Sequence, residues 1–258
     1  MAKVIAVAGK GGVGKTTFCG MLIDWMGKNG KGPTLAVDAD ANSNLNEVLG
    51  VEVEKTLGEI RELVANAENE AVNPIPPGTS KADFMDAQFM NAVTEEDDFD
   101  LITMGRTQGK GCYCFVNSLL QTQLQKMTQN YKYMVVDNEA GMEHISRGIL
   151  PGVDVVLLVS DSSRRGIQAV ARIAELVKEV GLKPEKVGLI VNRAPQGVLN
   201  EGIIEEIEKH DLELIGIIPQ DEDVYEYDCC GKPTCKLPET DGARKAVNEI
   251  AQKIFNII

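Results

Sequence analysis

Residues 9–16 carry the first chemical signal of the chain, because they read Gly-Lys-Gly-Gly-Val-Gly-Lys-Thr. A glycine, four intervening residues and then Gly-Lys-Thr is the pattern of a loop whose backbone N–H groups surround phosphate oxygens. In such a loop Lys15 reaches the β- and γ-phosphates, and the Thr16 hydroxyl binds Mg²⁺. The helix that follows directs the positive end of its dipole at the same anion. The octet therefore predicts a site for a nucleoside triphosphate with magnesium.

The same octet also fits a second pattern. Three of its glycines satisfy G-x-G-x-x-G, the fingerprint of dinucleotide sites, and Asp38 lies at about the spacing at which such sites carry an acid. The Lys15–Thr16 pair favours the triphosphate, since a dinucleotide site has no use for it. A second predicted strand that ends in an acid, at Asp137, favours it too. We therefore predict ATP as the ligand and keep a nicotinamide oxidoreductase as a distant alternative.

Nucleotide binding at this loop requires a sheet whose other strands end next to the loop and place their side chains there. Short apolar runs alternate with segments of helical periodicity, which indicates an α/β fold with a doubly wound, mostly parallel sheet and helices on both faces. The 258 residues are enough for one such domain, so we predict a single P-loop ATPase domain over 1–258. Residues 72–98 are predicted as a surface excursion containing a short helix. The predicted strands are 4–8, 34–37, 100–104, 133–137, 153–160, 187–192 and 212–218, and the predicted helices are 17–28, 56–69, 167–180, 199–209 and 243–258.

Composition restricts the classes of partner. The net charge is −13, from 39 acidic and 26 basic side chains, so nucleic-acid phosphates and anionic membrane surfaces would be repelled. The longest apolar stretch, Val155–Val159, is far shorter than the roughly 20 residues that span a bilayer. The first predicted strand runs straight into the phosphate loop, unlike a signal peptide. We therefore expect a cytoplasmic protein without nucleic-acid or membrane partners, whose six cysteines are reduced.

Lys10 stands directly before two glycines, at a position where the general phosphate loop needs no lysine. With this residue the loop resembles that of the deviant P-loop ATPases, the family of nitrogenase iron protein, MinD, ParA and the arsenite ATPase. The resemblance implies that Lys10 reaches across a homodimer to the partner's nucleotide, and that ATP is hydrolysed by a face-to-face dimer. It assigns nucleotide contacts to Gly11, Gly12, Val13, Gly14, Lys15, Thr16 and Thr17.

Acidic side chains follow the predicted strands at the edge where such sheets bind ligands. Asp38 and Asp40 come after the second strand, where a carboxylate can hold the water shell of magnesium or orient attacking water. The family resemblance implies that Asp40 orients the water and Asp38 supports the magnesium shell. It also implies that Asp137 is a second magnesium acid that acts through water. The residues expected beside the adenine are Asn192, Arg193 and Pro219.

Asp137 also begins a more specific segment, residues 137–144, which read Asp-Asn-Glu-Ala-Gly-Met-Glu-His. This segment occupies the place of the second switch, which moves when the γ-phosphate leaves. Solvated helix positions are the alternative for its two glutamates, and we expect His144 to be a surface histidine. The other histidine, His210, is predicted to be a bystander at the end of an exposed helix.

Cys112-Tyr113-Cys114 is a candidate metal-binding pair. Side chains at i and i+2 of an extended chain project to the same side, so two thiolates can hold one soft metal ion. A closed tetrahedral site needs four ligands, which a twofold dimer would assemble from two pairs, and Lys10 predicts that dimer independently. Thiolates alone do not distinguish nickel, zinc and an iron–sulfur cluster. Two small buried apolar side chains are the structural alternative.

Lys10, the Cys112-x-Cys114 pair and the segment 137–144 together resemble the CooC/AcsF group, ATPases that mature carbon monoxide dehydrogenase and acetyl-CoA synthase. The resemblance covers almost the whole chain. It implies a Mg²⁺-dependent ATPase and metallochaperone that binds Ni²⁺ through Cys112 and Cys114, with Zn²⁺ as an alternative, and serves the apo form of one or both enzymes. An iron-protein-like reductase with a bridging cluster and a MinD/ParA-like positioning ATPase are the alternative functions.

Two further sets of cysteines fall outside that pattern. Cys229, Cys230 and Cys235 form a second group near the C-terminus. We interpret this group either as an extra metal site or as a chance trio in a loop. Cys19, on the helix behind the phosphate loop, is predicted to pack in the core.

Overall fold

Eight strands form one sheet in the computed structural model, which describes residues 1–66, 74–106, 114–141 and 152–256. Their order is β3-β4-β2-β5-β1-β6-β7-β8; β3 pairs antiparallel with β4, and the other pairings are parallel. The strands are β1 Lys3–Gly9, β2 Thr34–Ala39, β3 Val93–Glu95, β4 Asp100–Thr103, β5 Tyr133–Asn138, β6 Val155–Asp161, β7 Lys186–Ala194 and β8 Leu214–Pro219.

Most of the helices begin at polar side chains that accept a backbone N–H of the first turn, which satisfies an otherwise unpaired donor. These capping residues are Ser80, Ser163, Asn200, Asp221 and Asp241. The described helices are α1 Lys15–Lys28, α2 Leu45–Leu49, α3 Leu57–Asn66, α4 Lys81–Met90, α5 Cys114–Met127, α6 Arg164–Glu179, α7 Glu201–Lys209, α8 Glu222–Cys229 and α9 Gly242–Phe255.

Helices cover both faces of the sheet, because successive residues of each strand point to opposite sides. From β1, Val4 and Ala6 belong to a core that includes residues of α6, whereas Ile5 and Val7 belong to a second core with α1 and α9. Parallel strands buried on both sides in this way are continuous apolar runs in sequence. The predicted doubly wound, mostly parallel fold is therefore confirmed.

The structure adds to the predicted elements the helices α2, α5 and α8 and the edge strand β3. Helix α8 fully buries no residue, and its two partly buried apolar residues, Val224 and Tyr227, are too few to predict a helix. Strand β3 has only three residues, too few for an alternating pattern. Both the predicted short helix of the surface excursion and the seven predicted strands are present, with ends displaced by one or two residues. The last residues of the helices predicted over 56–69 and 243–258 lie outside the described residues.

A buried arginine ties the last helix to the first. Arg244 of α9 is 0% exposed. Its Nη1 donates to the carbonyl oxygen of Cys235 at 3.0 Å, and its Nη2 donates to the carboxylates of Asp24 and Glu239. Lys28 binds the same two carboxylates, at 2.8 and 3.2 Å. These contacts hold the segment that joins α8 to α9 against α1, the helix that begins at the phosphate loop.

We expect Arg244→Met to lower the free energy of unfolding by about 2 kcal/mol, because it removes the charge-assisted hydrogen bonds that the buried guanidinium makes to two carboxylates. Urea denaturation of the nucleotide-free protein measures this change. Lys245→Met, at an exposed position next along the helix, is the control and should change stability by less than about 0.5 kcal/mol. Equal losses in the two variants would contradict the structural role of Arg244.

Candidate nucleotide site

The phosphate loop joins β1 to α1, and at two of its glycines, Gly12 and Gly14, any other residue would strain the backbone. Gly12 and Gly14 have φ angles of 78° and 89°, in the left-handed region. A Cβ atom on Gly14 would lie 2.4 Å from Nδ2 of Asn192. Helix α1 begins directly after Gly14, so its N-terminal N–H groups face the loop. Lys15 is 7% exposed, and its Nζ donates to the carbonyl oxygen of Lys10 at 3.3 Å.

An open cleft of ≈ 530 Å³ lies in front of the loop, and we call it the loop cleft. The phosphate loop forms one wall, and residues that follow β2 form another. The third wall comes from the segment after α8. The residues that the structure adds to those predicted for this cleft are Asn42, Asn44, Glu47, Val48, Ala140, Asp228, Gly231, Lys232 and Thr234.

A second cleft of ≈ 680 Å³ adjoins the first, and Thr17, Arg193 and Asp228 line both. The three residues predicted to lie beside the adenine, Asn192, Arg193 and Pro219, line this adjoining cleft together. Phe18 and Ile218 are among the residues that give it an apolar wall. A nucleotide with phosphates at the loop and a base among these residues fits the arrangement.

Asn192 and Arg193 also hold the phosphate loop from the side. Nδ2 of Asn192 donates to the carbonyl oxygen of Val13 at 2.8 Å, and Nη1 of Arg193 donates to that of Gly12 at 3.0 Å. The backbone of Arg193 is itself left-handed, with φ 55°. The structure thus brings together two segments about 180 residues apart that the sequence analysis assigned to one ligand.

Two carboxylates are buried side by side beneath the loop. Asp38 and Asp137 are paired in register on the adjacent strands β2 and β5, and each is 1% exposed. The carboxylate of Asp38 accepts the backbone N–H groups of Leu45 at 3.0 Å and of Asp40 at 3.1 Å. One carboxylate oxygen of Asp137, Oδ1, is buried and accepts no hydrogen bond.

Burial and the charges of neighbouring side chains change the pKa values of this pair. Burial first, and the neighbouring Asp137 second, raise the pKa of Asp38 to about 7. Burial raises the pKa of Asp137 to about 6, against the opposing effects of the Thr16 hydroxyl and of Lys15. An unpartnered carboxylate oxygen beside Thr16 fits the water shell of a divalent cation, which prefers oxygen ligands. This arrangement suits Thr16, Asp38 and Asp137 to hold magnesium, and their role as ligands stays a prediction.

Asp40 is half-buried and lines the loop cleft, and Asn42 orients its side chain. Its Oδ1 accepts the backbone N–H of Asn42 at 2.8 Å and the Asn42 side-chain amide at 3.0 Å. Arg106 in turn donates to the side-chain oxygen of Asn42. Asn42 and Arg106 carry no motif that could have indicated this positioning from the sequence.

The predicted metal pair is only partly described. Cys112 and His144 lie outside the described residues, and so does the side chain of Cys114, whose backbone begins α5. The geometry of the Cys112-x-Cys114 pair therefore stays a prediction. His210 ends α7, as predicted, with its Nε2 3.2 Å from Oε1 of Glu206.

The C-terminal cysteines do not form one compact site. Cys229 and Cys230 are exposed, whereas Cys235 is 3% exposed and its Sγ donates to the carbonyl oxygen of Leu49 at 3.5 Å. Burial raises the pKa of Cys235 to about 11, so its thiol stays protonated near neutral pH. Among the described residues, the group of three close metal-ligand side chains is carboxylate only: Asp221, Asp223 and Asp241. Cys19 is fully buried and packs in the core, as predicted.

Comparison with known proteins decides the family. Residues 4–234 match CbiA, the CobQ/CobB/MinD/ParA nucleotide binding domain. This chain belongs to that family. The matched residues include the phosphate loop, both buried acids, the Asn192–Arg193 pair and the third wall of the loop cleft. The protein is therefore an ATP-binding MinD/ParA-like ATPase, and the two clefts lie within its nucleotide-binding domain.

Three proteins illustrate the range of the family. The chain is 40% identical over 254 residues to the uncharacterized ATP-binding protein MJ0685 of Methanocaldococcus jannaschii, with 98% of each chain covered. It is 30% identical over 261 residues to the carbon monoxide dehydrogenase accessory protein CooC of Rhodospirillum rubrum, with 90% of this chain and 91% of the relative covered. The septum site-determining protein MinD of Pyrococcus horikoshii, solved with Mg-ADP, superposes with a TM-score of 0.72 at 20% identity, over 98% of this chain and 96% of MinD.

No helix among the described residues is both long enough and apolar enough to cross a bilayer.

The buried acid pair makes stability depend on pH. Because both pKa values are raised on folding, the pair costs the nucleotide-free protein stability as the pH rises from about 4 to about 7. Asp137→Asn removes one of the two charges, so we expect this variant to gain about 2 kcal/mol over the natural chain at pH 8. At pH 4 the difference should be small.

Urea denaturation at the two pH values tests the expectation. Asp97→Asn, which removes an exposed acid, is the control and should show the same change at both pH values. A gain for Asp137→Asn that does not grow between pH 4 and pH 8 would contradict the raised pKa of the buried Asp137.

Proposed function

We propose that this protein is a Mg²⁺-dependent ATPase that acts as a metallochaperone. It binds Ni²⁺, as cargo, at a site formed by Cys112 and Cys114 of both subunits of a homodimer. It supports nickel insertion into carbon monoxide dehydrogenase, acetyl-CoA synthase or both. The observation that carries this proposal is the similarity to CooC over 90% of the chain, joined to the Cys-x-Cys pair in the same chain.

The ATPase part rests on the geometry of the two clefts. Backbone N–H groups of the loop and the ammonium of Lys15 bind the phosphates, and the adjoining cleft takes the base. Thr16, Asp38 and Asp137 hold magnesium, which when bound neutralises charge on the phosphate oxygens. Asp40, half-buried at the loop cleft and fixed by Asn42, orients the attacking water.

The homodimer rests on Lys10. Its side chain is exposed at the mouth of the phosphate loop, while its carbonyl oxygen accepts Lys15 within the same chain. An exposed lysine at this position is free to reach a nucleotide held by a facing subunit. Its positive charge would then stabilise the charge that develops on the γ-phosphate.

Replacing Lys10 by alanine should separate binding from hydrolysis. We expect Lys10→Ala to bind ATP with nearly natural affinity and to lose ATPase activity by about a hundredfold, the scale of one lost transition-state donor. Calorimetry and phosphate release measure the two quantities. If adding excess Lys15→Ala protein, which still carries Lys10, failed to restore activity to Lys10→Ala, the trans role of Lys10 would be wrong.

The nickel site follows from the same dimer. Twofold symmetry doubles any ligand pair near the axis, so two Cys-x-Cys pairs supply the four thiolates of a closed site. ATP binding would close the dimer and bring the pairs together. Hydrolysis would then release the second switch, residues 137–144, and change the metal site.

Two alternatives fit the same family. A MinD/ParA-like positioning ATPase is favoured by the similarity to MinD, but the apolar residues of α9 are buried in the core, so this helix has no free face for a membrane. The net charge of −13 also disfavours DNA. An iron-protein-like reductase would hold a bridging cluster through the same four thiolates.

Anaerobic nickel titration with the dimer mass followed in the same sample tests the metal site. We expect about one tight Ni²⁺ per dimer, the stoichiometry of four thiolates shared between two subunits. This binding should be lost in Cys112→Ala/Cys114→Ala and retained in Cys229→Ala/Cys230→Ala, a matched removal of two exposed thiols.

Other outcomes point to the alternatives. Nickel binding that survives loss of Cys112 and Cys114 would overturn the site. Visible absorbance of a cluster after anaerobic purification would favour the reductase. Nucleotide-dependent binding to lipid vesicles or DNA, without tight nickel, would favour the positioning ATPase.

A further inference from the structure

The third wall of the loop cleft is a segment that no motif assigns to the nucleotide. We call residues 228–236 the C-terminal strap; it runs from the end of α8 toward α9. Asp228, Gly231, Lys232 and Thr234 of this strap line the loop cleft together with the glycines of the phosphate loop. A basic side chain thus lies on the opposite wall of the cleft in which the phosphates are expected.

The backbone around Lys232 is fixed by local contacts. Gly231 is left-handed, with φ 62°, and the N–H of Lys232 donates to the carbonyl oxygen of Tyr227 at 2.8 Å. The next residue, Pro233, packs closely on α2: a Cβ atom on Gly50 would lie 2.4 Å from its Cγ. Lys232 therefore stands at a defined place on the cleft wall.

The far end of the strap is anchored in the core. Thr234 and Cys235 are each 3% exposed. The Cys235 thiol donates to the carbonyl oxygen of Leu49, and its own carbonyl oxygen accepts the buried Arg244 at 3.0 Å. Because the strap is held at both ends, binding a phosphate at Lys232 would not cost the conformational entropy of ordering a loop.

The ammonium of Lys232 is held only weakly in the nucleotide-free protein. Its Nζ lies 5.5 Å from the centre of the half-buried Tyr227 ring, a cation–π contact made by an exposed lysine. A phosphate oxygen attracts an ammonium more strongly than an aromatic face does, since the hydrogen bond is between opposite charges. Glu47 and Asp228 add negative charge to the same cleft, so a nucleotide entering it requires further cations.

We propose that Lys232 is a phosphate-binding residue of the nucleotide site, contributed by the C-terminal strap of the same subunit. This inference rests on the ATP binding of the proposed function and is independent of the nickel site. Lysine suits the role because its compact charge needs no fixed geometry of approach. Lys232 then completes a ring of cations around the phosphates, opposite Lys15 and Arg193.

The test is to measure the dissociation constants of Mg-ATP and Mg-ADP by calorimetry in four proteins. Lys232→Met keeps most of the side-chain volume and removes the charge, so we expect both constants to rise about tenfold, the effect of one charge-assisted contact. Lys232→Arg keeps the charge and should stay within about threefold of the natural chain. Lys236→Met, at an exposed position of the same strap outside both clefts, should bind as the natural chain does.

Salt dependence separates a phosphate contact from a structural effect. Raising the salt concentration should weaken nucleotide binding less in Lys232→Met than in the natural chain, because one ionic contact is missing. Dissociation constants within twofold of the natural chain, or an equal loss in Lys236→Met, would overturn the assignment. If the natural chain bound neither nucleotide, the proposed ATPase itself would fail; if it bound ATP but not nickel, the role of Lys232 would stand.

Discussion

Two carboxyl groups buried next to each other are the constraint on which the site depends. Asp38 and Asp137 lie on neighbouring strands in register, shielded from water. Repulsion in a site of low dielectric is costly unless a proton or a cation intervenes. The unpartnered oxygen of Asp137 leaves room for such a cation beside Thr16. The nucleotide-free site is thus electrostatically incomplete, and magnesium carried by a nucleotide would complete it.

The parts of this site that could be predicted from the sequence all sit at the ends of parallel strands. Each of Asp38, Asp137 and Asn192 follows an apolar run that is buried on both faces, so its position in the sheet follows from the run itself. The phosphate loop is equally local, since its glycines and Lys15 lie within one octet. Apolar periodicity and the local glycine pattern therefore predicted which strand ends lie around the phosphate loop.

The third wall of the loop cleft could not be predicted, because its position is set by distant packing. Helix α8 packs on the core only through the partly buried Val224 and Tyr227, too few for a predictive apolar period. The strap that follows is located by Arg244 in α9 and by Leu49 in α2, contacts that span up to 186 residues. The same packing separates the C-terminal cysteines: Cys235 is drawn into the core, while Cys229 and Cys230 stay at the surface.

The net charge of this protein and the charges close to its nucleotide site affect different classes of ligand. A total of −13 disfavours extended polyanions, whose phosphates would face the whole surface. A single nucleotide interacts electrostatically mainly with charges within about 8 Å, which is the screening length at physiological salt. Within the two clefts Lys15, Arg193 and Lys232 come from three separate segments of the chain. In the loop cleft these three cations lie among the acids Asp40, Glu47 and Asp228, so the fold brings charges of both signs to the place where the phosphates of a nucleotide would bind.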